Sequence, residues 1–251
     1  MRSFVTIATI VLIMSVSTVA SPATDSLFSA GNKAFENKNF ETAIANYLVI
    51  LDQDIESAAL YYNLGNAYFK SGDIGRAVLN YRRALRLAPS DEDIVNNLEF
   101  VRQFSRVQME GVQLNPINNF MDSLVGSYRL DTLAWVTSIL FVLTCILLMG
   151  RLGLGYNNLL LRVTTVVVLI ILVGLSGLTT YKYRTDFLTR WGVVIANESQ
   201  VLSGPEEGAE LEFEGAPGLV VEILSETSEY YNVLFENKRR GWIKKSHLAE
   251  I

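Results

Sequence analysis

Residues 61–89 read YYNLGNAYFKSGDIGRAVLNYRRALRLAP. In each half of this stretch apolar residues recur every three or four positions, a spacing typical of amphipathic helices. Gly72 interrupts the pattern between the halves, and Asp73 is of a type that often begins helices. The stretch therefore predicts two antiparallel helices joined by a tight turn.

The same spacing occurs a second time, earlier in the chain. One constant shift relates three pairs of residues: Gly31 and Gly65, Ala43 and Ala77, and Tyr47 and Tyr81. The first copy is degraded, because Ile55 stands where the second has Pro89. These offsets resemble those of the tetratricopeptide repeat, a 34-residue helix–turn–helix unit. We therefore expect two such repeats within residues 21–110.

A third helical pattern follows the second copy. Residues 91–108 carry apolar side chains at helical spacing, with Asp91 and Glu92 near the start, where the helix dipole favours acids. Solenoids usually cover their last apolar face with a further helix. This segment lacks the small residues of the repeat, so it is either a capping helix or a broken third repeat.

The first twenty residues predict a secretory signal peptide. Arg2 precedes an apolar core over residues 4–16, and small residues follow up to Ala20, the expected last residue before cleavage. The apolar core is too short for a typical membrane-spanning helix. An uncleaved anchor helix is the alternative, and either segment would export residue 21 onward.

Two segments predict transmembrane helices, at residues 131–150 and 158–181. Residues 133–149 and 163–180 carry no charge, and with their flanks each reaches about the twenty residues needed to cross a bilayer. Before them, residues 111–130 favour either a linker or a short interfacial helix after Pro116. With an exported N-terminus, the connection carrying Arg151 and Arg162 is cytoplasmic, and both folded ends lie outside.

Residues 190–251 predict a small all-β domain of about five short strands. β-branched and aromatic runs alternate with turn residues, and the stretch 206–214 is interpreted as an acidic, solvated loop. The turn VLSGP at 201–205, the strand at 218–224 and the closing Gly241-Trp242-Ile243 resemble the bacterial SH3-like family. The resemblance implies a small SH3-like barrel.

The order of these parts resembles the BatE-type proteins of the Bat aerotolerance group of bacterial envelopes. The resemblance spans the chain and depends on its architecture and on the stretches NLGNAYFKSGD and GWIKKSHL. It implies an accessory role without catalytic activity at the inner (cytoplasmic) membrane, with the repeats and the barrel on the periplasmic side. The implied partners are membrane proteins with von Willebrand factor A domains and, indirectly, a MoxR-type ATPase.

The composition argues against several classes of function. The chain has 251 residues, a net charge of −5, one cysteine (Cys145) and one histidine (His247). An internal disulfide is impossible, a zinc site of Cys and His ligands lacks ligands, and no basic face for nucleic acid is indicated. No phosphate-binding loop occurs, and His247 has no triad signature. We therefore expect no enzyme, no cofactor and no metal site, although the acidic run 206–214 leaves open a weak divalent-ion site.

The repeat phase predicts a concave groove that binds a peptide. Six residues should line or border it: Phe28, Asn32, Tyr62, Asn63, Asn66 and Phe69. Asparagine amides can donate to and accept from a peptide backbone. Asn32 and Asn63 fall where the carboxylate-clamp version of the repeat has asparagines, but Phe28, Asp93 and Asn97 replace its basic residues. Peptide binding without capture of a carboxylate is expected; alternatively, Tyr62 and Phe69 only pack on the capping helix.

The predicted architecture is thus multi-domain: α-helical repeats, two transmembrane helices and a small all-β SH3-like barrel. The function that we predict from this architecture is that of a membrane-anchored adaptor, which holds a protein or peptide partner in the repeat groove. The alternative is a module that contacts peptidoglycan through its SH3-like domain, with the repeats as support.

Overall fold

The computed structural model describes residues 22–104, 121, 124–153 and 158–251. The predicted signal peptide (1–20) and most of the predicted linker lie outside the described residues. Seven α-helices and seven β-strands have defined bounds. The helices are α1 (Pro22–Glu36), α2 (Phe40–Leu51), α3 (Ala58–Ser71), α4 (Ile74–Leu87), α5 (Glu92–Arg102), α6 (Leu130–Leu148) and α7 (Leu159–Tyr183).

Helices α1–α2 and α3–α4 form the two predicted helical repeats. In the second, Gly72 ends α3 in the left-handed conformation with φ 89°, and the Asp73 side chain caps α4 by accepting from the backbone N–H of Arg76. In the first, Lys38 stands at the position of Gly72 and also adopts a positive φ, 61°. The turn geometry is therefore the same in both units, although only one has the glycine that favours it.

Helix α5 resembles the first helix of a further repeat unit, and we call it and the residues up to Phe104 the third-unit segment. It begins at Glu92, one repeat length after the start of α3 at Ala58, and the same shift holds for its buried side chains. The related pairs are Leu60 and Ile94, Leu64 and Leu98, and Ala67 and Val101, all buried. Glu99 replaces Gly65, so the segment lacks the small residue by which the sequence pattern identifies a repeat.

Helices α6 and α7 are long and apolar enough to cross a membrane. With the π-helical turns that continue them, they extend over Leu130–Gly153 and Leu159–Leu188, at mean hydropathies of 2.3 and 2.5. Most of their surface is exposed, and they contact each other through a hydrogen bond between the Thr137 and Thr179 hydroxyls, 3.0 Å apart. This composition suggests association with a membrane.

Residues 190–251 form an open antiparallel sheet of seven strands. The strands are β1 (Arg190–Val194), β2 (Ser199–Leu202), β3 (Leu211–Gly215), β4 (Val220–Glu226), β5 (Tyr230–Phe235), β6 (Arg240–Lys244) and β7 (Leu248–Glu250). Their order is β3-β2-β6-β5-β4-β1-β7. In this fully described segment β3 and β7 are the two edges, so the sheet is not closed.

The predictions of five strands and of an acidic loop over 206–214 are therefore wrong in part. Strand β3 lies within that acidic stretch, because Phe213 packs edge-on against Phe235 with ring centroids 4.9 Å apart while the glutamates on either side face solvent. Glu212 and Glu214 point outward and Phe213 points inward, which is the alternation of a β-strand. The many acidic residues make this pattern hard to recognise in the sequence.

The sheet packs on the second repeat. Val193 and Val220 share one apolar cluster with Val78 and Leu79 of α4 and with Leu98 of α5. A Cβ on Gly75 would lie 2.7 Å from Ile195 Cα, so backbone meets backbone there. A complete third unit would place its second helix beside α4 and α5, and the sheet occupies this place.

Polar contacts hold the same interface at its margin. The Arg83 guanidinium donates to the Glu250 carbonyl at 2.7 Å, and Arg102 forms an ion pair with Glu236 at 3.0 Å. Burial, followed by the charge of Arg102, lowers the pKa of Arg82 to about 10. The repeats and the sheet are thus one packed body.

Candidate peptide-binding groove

The concave side of the repeats carries a hydrogen-bonded unit that occurs twice. In the first unit Asn32 Oδ1 accepts from the Tyr47 hydroxyl at 2.7 Å and from Asn63 Nδ2 at 3.0 Å. In the second, Asn66 Oδ1 accepts from the Tyr81 hydroxyl at 2.6 Å and from Asn97 Nδ2 at 3.1 Å. Each member of the second unit lies one repeat length after its counterpart in the first.

The repeat glycines make this unit possible. A Cβ on Gly65 would lie 2.9 Å from the Tyr81 ring, and a Cβ on Gly31 would collide with the Tyr47 ring. Because the glycines leave room, each tyrosine crosses to the neighbouring helix and its hydroxyl reaches the asparagine that follows the glycine. The Gly-Asn pair is therefore a single structural device, in which the glycine admits the ring and the asparagine binds its hydroxyl.

These bonds fix the orientation of the asparagine amides. Asn32 Oδ1 and Asn66 Oδ1 each accept two hydrogen bonds, which fills the acceptor capacity of an amide oxygen. Their Nδ2 groups remain as donors, and Asn63 keeps its Oδ1 as an acceptor, among the hydrogen bonds of the described residues. The groove thus presents donors and acceptors on amides held by their neighbours, as a peptide backbone requires.

An open cleft of about 210 Å³ lies at the first unit. Its lining residues are Asn32, Phe35, Glu36, Tyr47, Asn63 and Asn66. The structure thus brings the three predicted asparagines together in one cleft. The sequence pattern does not predict Phe35, Glu36 and Tyr47 in the lining; Glu36 and Phe35 follow Asn32 by one turn of α1, and this spacing is the signal for them.

The three predicted aromatic residues lie outside this cleft. Phe28 packs on Tyr47 with ring centroids 5.9 Å apart, and the Tyr62 hydroxyl accepts from Asn97 Nδ2 at 2.9 Å. Phe69 packs on Phe100 of α5 at 5.7 Å and on Phe104 at 5.4 Å. Tyr62 and Phe69 therefore contact the third-unit segment, which is the arrangement expected if they pack there and do not bind a peptide. Asn97, which stands where the clamp has a basic residue, is part of the second hydrogen-bonded unit.

Burial and a nearby charge both raise the pKa of Tyr47, the tyrosine of the cleft. Burial, and after it the negative charge of Glu36, raises the pKa of Tyr47 to about 12. Burial likewise raises the pKa of Tyr81. Both hydroxyls therefore stay protonated and remain donors at neutral pH.

Other chemistry is sparse in the part of the chain that the structure describes. There, no group of three or more His, Cys, Asp or Glu residues could hold a metal ion. His247 Nδ1 lies 3.3 Å from the hydroxyl of Ser199, which is buried. A buried hydroxyl is closed to a substrate, so we assign this pair a structural role.

The comparison with protein families identifies the second unit. Residues 58–91 match the family model of the tetratricopeptide repeat. The match covers α3, α4 and the turn after them; the first unit repeats their geometry. Tetratricopeptide repeats are typically non-catalytic modules of protein–protein interaction, so the match indicates an adaptor role. A comparison with curated proteins finds no match.

The tyrosine hydroxyls provide a test of the repeated unit. Tyr47→Phe and Tyr81→Phe should each lower the free energy of unfolding by about 1 kcal/mol, because each leaves an asparagine oxygen with one donor fewer. Urea denaturation of the protein in lipid nanodiscs, followed by circular dichroism, measures the change. Tyr128→Phe, at an exposed position, is the control. Unchanged stability in both variants would contradict the structural role of the hydroxyls.

Proposed function

We propose that this protein is a non-enzymatic, membrane-anchored adaptor that holds an extended segment of a protein partner in its repeat groove. The observation that supports this most directly is the pair of Tyr–Asn–Asn units, which fix amide donors and acceptors along the concave face. Orienting polar groups before binding lowers the entropy cost of capturing a flexible peptide.

The proposed location is the bacterial inner membrane, with α6 and α7 as the anchor and the repeats and the sheet on the periplasmic side. Two features support it. The N-terminal sequence is typical of a signal peptide, and the contact between α4 and β1 requires both folded parts to lie on one side of the membrane. The two predicted membrane-spanning helices lie between the repeats and the sheet in the sequence. Two crossings return the chain to the side on which it started, so they satisfy that requirement.

The proposed partners follow from the resemblance to BatE-type proteins. They are membrane proteins with von Willebrand factor A domains, coupled indirectly to a MoxR-type ATPase, in a complex linked to aerotolerance. The SH3-like assignment of residues 190–251 stays a prediction. Contact with peptidoglycan through this sheet is the second candidate, and the exposed basic turn with Lys238 and Arg240 is the feature that favours it, since it offers positive charge outside the interface.

Capture of partners from detergent-solubilised membranes tests the groove. The variant Asn32→Ala/Asn63→Ala/Asn66→Ala should recover its partners in at most about one tenth of the wild-type yield, as expected when several hydrogen bonds are lost. The triple variant Asn37→Ala/Asn46→Ala/Asn197→Ala, which changes asparagines outside the cleft, is the matched control.

A second variant separates binding from folding. Asn63→Leu leaves both tyrosine hydroxyls bonded to Asn32 and Asn66, so the helical circular dichroism signal should stay at the wild-type level while capture falls. Equal recovery of partners by wild type and by both groove variants would show that the groove assignment is wrong.

A further inference from the structure

We infer that the cleft at the first repeat receives a lysine or arginine side chain of the bound segment, with Glu36 as its counter-charge. The inference rests on the proposed function, since it assumes that a peptide segment lies in the groove. It adds the chemical class of one partner residue and its place in the groove.

The lining of the cleft has only one sign of charge. Glu36 is its single carboxylate, and none of the six lining residues is Lys, Arg or His. In the described part of the chain Glu36 forms no ion pair, whereas eight other pairs are present.

The negative charge of Glu36 affects another residue of the cleft lining. This charge contributes to the raised pKa of Tyr47, which is also one of the lining residues. A cation that enters the cleft would meet this carboxylate, the free acceptor oxygen of Asn63 and the partly exposed ring of Phe35. Carboxylates and aromatic faces both attract ammonium and guanidinium groups.

Other side chains fit the cleft less well. An aspartate or glutamate would be repelled by Glu36, and an apolar side chain would cover polar amides without bonding them. The volume of about 210 Å³ is below the range of about 300–1,000 Å³ that suits a whole small molecule, so one side chain is the natural occupant.

The probe is a set of four pools of eleven-residue peptides, with randomised flanks and a central residue fixed as Lys, Arg, Gln or Glu. The full-length protein in neutral lipid nanodiscs is immobilised, and the retained fraction of each pool is measured. Wild type should retain the Lys and Arg pools about tenfold more than the Gln pool, the factor expected for a charge-assisted bond. The Glu pool should be retained least.

Substitution of the carboxylate decides the inference. Glu36→Gln should reduce the preference to within about twofold, and Glu36→Lys should reverse it in favour of the Glu pool. Glu41→Gln, which removes an exposed acid from α2, should behave as wild type. If wild type retains all pools equally, but above the Asn63→Leu variant, the inference is overturned and the groove stands. If no pool exceeds Asn63→Leu, the proposed function itself fails.

Discussion

Gly75→Ala should lower the free energy of unfolding by about 2 kcal/mol and loosen the sheet from the repeats. In an isolated helix alanine is better than glycine by up to about 1 kcal/mol, so helix propensity alone predicts the opposite sign. In the folded protein the new Cβ would lie 2.7 Å from Ile195 Cα and 2.8 Å from the Val194 carbonyl oxygen. Because both are backbone atoms, the collision is relieved only by displacing β1, and overpacking of this kind costs about 1–3 kcal/mol.

Hydrogen exchange on the full-length protein in nanodiscs locates the effect. Amides of α4 and β1 should exchange faster in the variant, while those of α1 and α2 should be unchanged. Gly204→Ala is the control, because its Cβ would meet only the Ala209 Cβ, at an ordinary 3.7 Å. A variant as stable as wild type, with unchanged exchange in β1, would refute the close contact of repeat and sheet.

The helical repeats could be predicted from sequence because their determinants are local and occur twice. Gly65 and Tyr81 act within one helix pair, and Gly31 and Tyr47, one repeat earlier, make the same contact again. The third unit is harder to recognise. Asn97 keeps the offset from Asn63, but Glu99 breaks the glycine pattern, so the sequence does not separate a third unit from a capping helix.

The packing of the sheet on α4 could not be predicted in the same way. Val78 and Val193 are far apart in sequence, and each is also an ordinary core residue of its own element. One signal was present: Gly75 lies in α4 where the first unit has the exposed Glu41, a departure from the repeat that has no local reason. Strand β3 is hard to recognise in the sequence because two of its five residues are glutamates whose side chains face solvent.

The groove shows the same division between local and distant contacts. The repeat phase assigns Asn32, Asn63 and Asn66 to the groove, and the three line one cleft. The same phase assigns Phe28 and Phe69 to the groove, whereas their rings lie against aromatic neighbours on other helices. Helix phase determines the face on which a residue lies, whereas the partner of a large side chain depends on the neighbouring helix.

Deletion of residues 190–251 should abolish partner capture, although it removes no residue of the groove. The side chains of Val78 and Leu79 are almost fully buried in the cluster that α4 shares with the sheet, and removal of the sheet would expose part of that cluster. Each buried aliphatic side chain contributes about 1.5–3 kcal/mol, and these two alone are a large share of a typical total of about 5–15 kcal/mol. We therefore expect the repeats of the deletion variant to unfold at much lower urea concentrations.

This expectation changes how the two candidate functions can be separated. The deletion cannot separate the adaptor function from the contact with peptidoglycan. It removes the sheet and at the same time unfolds the repeats, so we expect both wall binding and partner capture to be lost. The variant Lys238→Asn/Arg240→Gln avoids this problem, because both side chains are exposed and asparagine tolerates the positive φ of Lys238. If the sheet contacts peptidoglycan, this variant should lose pelleting with purified cell wall and keep full partner capture. A deletion variant that unfolds like wild type and still captures partners would show instead that the sheet is dispensable to the repeats.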